Sequence, residues 1–203
     1  MASMPTVTRL ILIANVAVFV LQLSLGDRLV IPFALWPIGP YFAVWQLVTY
    51  GFLHANLTHV AFNMFAVYMF GAPMERVWGG RRFAVYYLVC VVGAAITQLI
   101  VEALMIDAGP TIGASGGVFG ILLAFALTFP RQRVVLLFPP IPMPAWLFVT
   151  LYGAVELFLG VTGTQAGVAH FAHLGGMLGG YLMIRRWRAA ARDRLQSSEL
   201  PDP

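Results

Sequence analysis

The chain has 203 residues, 60% of them hydrophobic and only 10% charged, with a formal net charge of +4 and a mean hydropathy of +0.84. A soluble domain this apolar would expose extensive sticky surface, so the composition excludes an ordinary water-soluble fold and indicates a polytopic membrane protein. Every basic residue is arginine, and the arginines gather at the ends of apolar runs rather than in one patch, which argues against nucleic-acid binding.

Apolar runs near 8–25, 57–74, 83–105, 114–129, 145–162 and 168–185 predict six transmembrane helices. The expected architecture is an all-α membrane protein, a six-helix bundle in one domain over 1–188, with a polar, frayed cytoplasmic tail over 189–203. The first run follows Arg9 but is not followed by an Ala-x-Ala-like cleavage site, so it reads as a span rather than a signal peptide. Between spans one and two, residues 29–55 are too long for a turn. Pro32, Pro37 and Pro40 interrupt helices there, and the many aromatic residues suit the outer membrane interface. The single Cys90 reads as a small core residue. Proline-rich 134–144 predicts a short inner loop, with Pro144 opening span five.

The arginines set the orientation. With six spans and a cytoplasmic N-terminus, every arginine except Arg28 falls on the cytoplasmic side, and both termini lie inside. Spans four and six then both start at the outer face, which places Ser115 and His173 at similar depth, about one turn below it. Asn56 is suited to cap span two, which puts His59 near the same level.

A serine flanked by glycines, in Gly113-Ala114-Ser115-Gly116-Gly117, is costly at membrane depth unless it is used. Its hydroxyl needs an adjacent base to act as a nucleophile, and histidine is the usual one. His173 is favoured over His170 because Gly176 and Gly180 lie on its own helical face, while Gly116 and Gly120 give span four a matching stripe. Two small stripes let helices meet at backbone distance, within reach of a Ser115–His173 hydrogen bond. His59 and Asn63, at i and i+4, share a face and can donate hydrogen bonds alongside the free Ser115 N–H. Each such oxyanion donor is worth roughly 3 kcal/mol. Phe119, one turn below Ser115, is placed to pack on the imidazole. No acid is well placed to orient His173: Glu102 and Asp107 belong near the outer end of span three, and Glu156 lies mid-to-outer in span five. An intramembrane acid is a functional candidate by default, but the distance of Glu156 from the Ser–His pair favours a neutral group hydrogen-bonded to a neighbouring helix. A Ser–His dyad is therefore expected.

These motifs together resemble the rhomboid family of intramembrane serine proteases over about residues 8–185. The matching elements are Gly-x-Ser-Gly at 113–116, His-x-x-x-Asn at 59–63, and Ala172-His173-x-x-Gly176-x-x-x-Gly180. The resemblance implies Ser115 as nucleophile, His173 as base, and His59 and Asn63 in the oxyanion hole. It also implies His54 on the loop side of the site and Glu75 as a structural partner at the inner end of span two. Trp45-Gln46 stands where the family often has Trp-Arg, which weakens an interfacial anchor, and Phe119 stands where tyrosine is common.

The expected activity is endoproteolysis of single-span membrane proteins near the outer boundary, after a small residue, without cofactor or metal. The expected partners are transmembrane substrates and the bilayer of a bacterial inner membrane, with the oligomeric state left open. An inactive rhomboid-like binder would lack the serine or the histidine. A metal transporter built on His54, His59, His170 and His173 would lack the acidic or cysteine ligands such sites use.

Overall fold

The computed structural model describes residues 3–104, 109–136, 139–163 and 169–198. Asp107 and residues 164 and 165 of the loop after span five lie outside them. The described chain is predominantly helical. Among the described residues, three helices are long and apolar enough to cross a membrane: α1 (Thr6–Leu25), α6 (Gly80–Glu102) and α8 (Ala145–Thr162). Their outward faces carry a belt of exposed large apolar side chains, Leu10, Ile13, Val20, Ile96, Ile100, Phe158 and Val161 among them. In water such a belt would drive aggregation; in a bilayer it is the solvent-facing surface.

Between α1 and the second apolar run, the chain forms α2 (Asp27–Phe33) and α3 (Gln46–Thr49), followed by a 3₁₀ turn at Tyr50–Phe52. Pro32 lies inside α2 rather than interrupting it. In so short a helix its missing N–H forgoes a single bond. Gln46 knits this region together. Its Oε1 accepts from the N–H groups of Ala43 (3.2 Å) and Trp36 (3.3 Å), while its Nε2 donates to the Tyr41 (2.9 Å) and Pro32 (3.4 Å) carbonyls. The residue is 1% exposed. Glutamine at this position is thus an internal clamp, and the expectation of a weakened anchor is corrected: an amide supplies both donors and acceptors.

The second apolar run is one rod in three pieces: α4 (Leu57–Ala66), a π turn (Val67–Gly71) and α5 (Ala72–Trp78). Asn56 caps α4 as expected, its Oδ1 accepting from His59 N–H at 2.8 Å. Pro73 has no N–H to offer the carbonyl four residues back, and the ladder widens just before it. Glu75 on α5 takes the role the resemblance implies. Its carboxylate accepts from Val7 N–H, Thr8 N–H and the Thr8 hydroxyl at 2.7–2.9 Å. No side chain of its own caps α1, so Glu75 satisfies its first turn from another helix and meets the positive end of its dipole.

At the centre stands α7 (Ser115–Thr128), buried along nearly its whole length between α6 and α9 (His170–Ser198). Arg133–Val135 (β1) and Pro142–Pro144 (β2) pair as an antiparallel hairpin where a plain loop is expected. Prolines at both ends of β2 leave its edge short of donors, so the sequence reads as a turn. Helix α9 stays helical to Ser198 rather than fraying after 188. Alanines and arginines over 188–194, all good helix formers, sustain it.

Candidate active site

The approach to Ser115 is fixed by two backbone ties. Leu35 and Thr111 exchange N–H···O bonds of 3.0 and 2.8 Å, and Gly113 N–H donates to the Tyr50 carbonyl at 3.0 Å. Gly113 has φ 131°, a left-handed region suited to glycine. A Cβ there would also fall 2.8–2.9 Å from the His59 ring. Ala114 precedes α7 without capping it, so the first N–H groups of the helix stay free beside the serine hydroxyl.

Ser115 Oγ lies 2.7 Å from His173 Nε2. Glycines stand where the two helices meet at backbone distance beside this contact. A Cβ on Gly176 would come within 2.7 Å of the Gly116 carbonyl carbon, and one on Gly120 within 3.2 Å of the Gly176 oxygen. Gly180 departs from the expected stripe: it faces Tyr86 and Cys90 of α6, not α7. Gly175 and Gly179 form a second stripe against Gly93 of α6, whose Cβ would lie 3.1 Å from the Gly175 oxygen. Glycines at i and i+4 facing a lone glycine on another span are its sequence signal. Phe119 stacks on the His173 ring as expected, with centroids 4.3 Å apart and planes 6° from parallel. Tyr152 of α8 stacks on Phe119 at 5.2 Å.

Glu156 does not stand apart. Its Oε2 accepts from His173 Nδ1 at 2.8 Å and from His170 Nδ1 at 2.6 Å. With Glu156 ionised the carboxylate only accepts, which would put a proton on both Nδ1 atoms and turn an unprotonated His173 Nε2 toward Ser115. His170, disfavoured from sequence, thus belongs to the same cluster. These three residues form the described group with donor types suited to a metal ion, their ligand atoms within 4.8 Å of one another. The four histidines do not converge: His54 pairs edge-on with His59 at 5.0 Å, and His170 with His173 at 6.3 Å.

On the opposite wall, Ala55 N–H donates to His59 Nδ1 at 3.3 Å. This leaves the proton on His59 Nε2, the atom facing Gly113. Asn63 Nδ2 donates to the His59 carbonyl at 3.1 Å, which leaves its second N–H free. Ser115, His59, Asn63, His173, Glu156 and His170 line one cavity of about 1200 Å³. His54 does not line it. That residue is fully buried, with Gln22 of α1 holding its backbone through bonds of 2.7 and 3.0 Å. Burial pushes its imidazole down from 6.5 to about 4, and the neighbouring His59 adds to the effect.

A helical membrane bundle whose core brings a serine hydroxyl onto a histidine base, beside an array of N–H donors, has the components of a serine hydrolase site. The chain matches the Rhomboid domain over residues 41–188. It is 26% identical over 176 residues to Rhomboid protease GlpG of Yersinia pestis, covering 85% of this chain and 59% of that protein. It is 27% identical over 137 residues to Rhomboid protease GluP of Bacillus subtilis, 68% of this chain and 25% of the other. Rhomboid protein 1, mitochondrial, of Saccharomyces cerevisiae is 29% identical over 146 residues, 68% and 40%. The chain therefore spans less than two thirds of each of these relatives. It belongs to the rhomboid family.

Proposed function

We propose that the protein is an intramembrane serine endopeptidase that cuts single-span membrane proteins near the outer face of the bilayer. The observation that carries this reading is the 2.7 Å contact between Ser115 Oγ and His173 Nε2. As Ser115 Oγ bonds to the scissile carbonyl carbon, its proton passes to His173 Nε2, which returns it to the leaving amine. The His59 Nε2–H, the Asn63 amide and the Ser115 N–H form the oxyanion hole. A water molecule, deprotonated by the same nitrogen, then releases the acyl group.

Six spans, with both termini cytoplasmic and the chain in an inner membrane, fit the arginine distribution. On that topology the length of α7 sets the depth of the chemistry. Fourteen residues span about 21 Å, short of the roughly 30 Å hydrocarbon core. Ser115, at its outer end, thus sits below the membrane surface at the foot of the cavity. A substrate helix shields its own peptide bonds, so a segment with weak helical propensity is the one that unwinds to reach it. The test is cleavage of a reporter transmembrane substrate by purified protein in detergent, with fluorophosphonate labelling. Wild type should cleave and be labelled; Ser115→Ala and His173→Ala should do neither. Cleavage that survives Ser115→Ala would sink the assignment.

A further inference from the structure

We propose that Glu156 and His170 are positioning residues that hold His173 in its reactive tautomer, so that the chemistry runs through a buried Ser115–His173–Glu156 chain braced by His170. The proposal rests on the protease reading above and adds to it the source of the base's orientation.

Two donors converge on one oxygen. Both His170 Nδ1 and His173 Nδ1 lie on Glu156 Oε2, at 2.6 and 2.8 Å, and all three residues are at least nine-tenths buried. A neutral imidazole carries its proton on either nitrogen, and only the Nδ1–H form leaves Nε2 free to take the serine proton. Glu156 selects that form, because a carboxylate rewards a donor at Nδ1. When Nε2 is protonated, the resulting imidazolium faces a negative charge at hydrogen-bond distance, and the Nδ1 proton stays on the ring.

His170 has no other visible task. Its Nε2 is buried without a hydrogen-bond partner, so its polar contact is spent on the carboxylate. Its Cβ lies 3.2 Å from where a side chain on Gly160 would begin, so α8 and α9 meet closely at the turn beyond Glu156. The brace matters because Glu156 rides on α8, a helix with few buried residues of its own. A flexible carboxylate there would leave His173 for other rotamers. His170 and His173, one turn apart on α9, hold it from two sides.

The test compares Glu156→Gln and His170→Asn with wild type. Glutamine keeps the size of Glu156 but brings an N–H₂ that favours the wrong tautomer. Glu156→Gln should lower kcat on the order of a hundredfold or more, as amide-for-carboxylate exchange does in serine-protease triads. KM should stay within about twofold and thermal stability should hold, because the group makes no substrate contact. His170→Asn should fall between the two enzymes. Nitrogen-15 NMR of histidine-labelled protein reads the tautomer without any need for turnover: His173 should be Nδ1-protonated in wild type and mixed in Glu156→Gln. If Glu156→Gln keeps full kcat, or loses stability or substrate affinity with kcat intact, the positioning role is refuted. The same holds if His173 keeps its tautomer in the variant. A wild type with no cleavage and no Ser115 labelling, but with the tautomer as stated, would instead refute the protease reading.

Discussion

Gly176 should be the least replaceable residue on α9 after His173, and the structure gives the scale of the effect. A single methyl there would sit 2.7 Å from the Gly116 carbonyl carbon and 3.1 Å from its Cα. Carbon contacts are comfortable at about 3.5–4.0 Å. Backbone cannot swing aside as a side chain can, so α9 must withdraw from α7 by about 1 Å. The Ser115–His173 contact starts at 2.7 Å. Widened by that amount it passes beyond hydrogen-bond range. A misplacement of about 1 Å between reacting groups costs on the order of a hundredfold in rate. Gly176→Ala should therefore lose about that much cleavage and fluorophosphonate labelling rate, with Gly176→Val worse. Membrane insertion should be spared, because the change adds only apolar bulk. The matched control is Gly153→Ala on α8, whose Cβ would meet Met177 at an ordinary 3.5 Å. Gly179 is a poorer control than helical spacing suggests, since a Cβ there lies 3.2 Å from the Val89 oxygen. Cleavage rates and melting temperatures in one detergent decide the matter. A Gly176→Ala enzyme of normal rate would show that glycine packing does not set the serine–histidine distance.

Asn63→Ala should lower kcat on the order of a hundredfold with little change in KM, the signature of a lost oxyanion donor in steady-state cleavage. Gln46→Leu should cost about 3 kcal/mol, because it strands two backbone N–H groups and two carbonyls in the 29–55 segment; thermal melts and tryptophan fluorescence from Trp36 and Trp45 will report it. His54 makes stability pH-dependent. The folded state binds its proton only near pH 4, whereas the unfolded chain binds one below 6.5, so stability is full above pH 6.5 and falls as pH drops toward 4. The loss approaches about 3 kcal/mol, and His54→Phe should remove that part of the acid sensitivity in melts at pH 7 and pH 4.5.

Much of the site can be read from the chain because its signals are local or depend only on topology. Asn56 announces a helix start, and the span directions expected from the arginines put residues 59, 115 and 173 at one level. The Gly116 and Gly176 contact follows from small residues at matching depth. Glu156 and His170 escape that logic. From the sequence Glu156 reads as standing apart in span five, because its side-chain direction depends on how α8 is rotated about its axis. A helix apolar on nearly every side carries no stripe to fix that rotation. The same blindness hides His54: the resemblance implies a place on the loop side of the site, while the Gln22 clamp holds it in the core. Gln46 was legible as an amide in an aromatic loop but not as a hub, since its four partners lie up to fourteen residues away.

The three hydrogen bonds from the start of α1 to Glu75 have a consequence for biogenesis. The first helix emerges from the ribosome well before its cap exists, since 67 residues separate Thr8 from the carboxylate it needs. Until the second helical rod arrives, α1 rests in lipid with an open first turn and with Asn15, a residue the finished protein buries completely. The start of α1 can therefore be capped only once α5 is in place beside it.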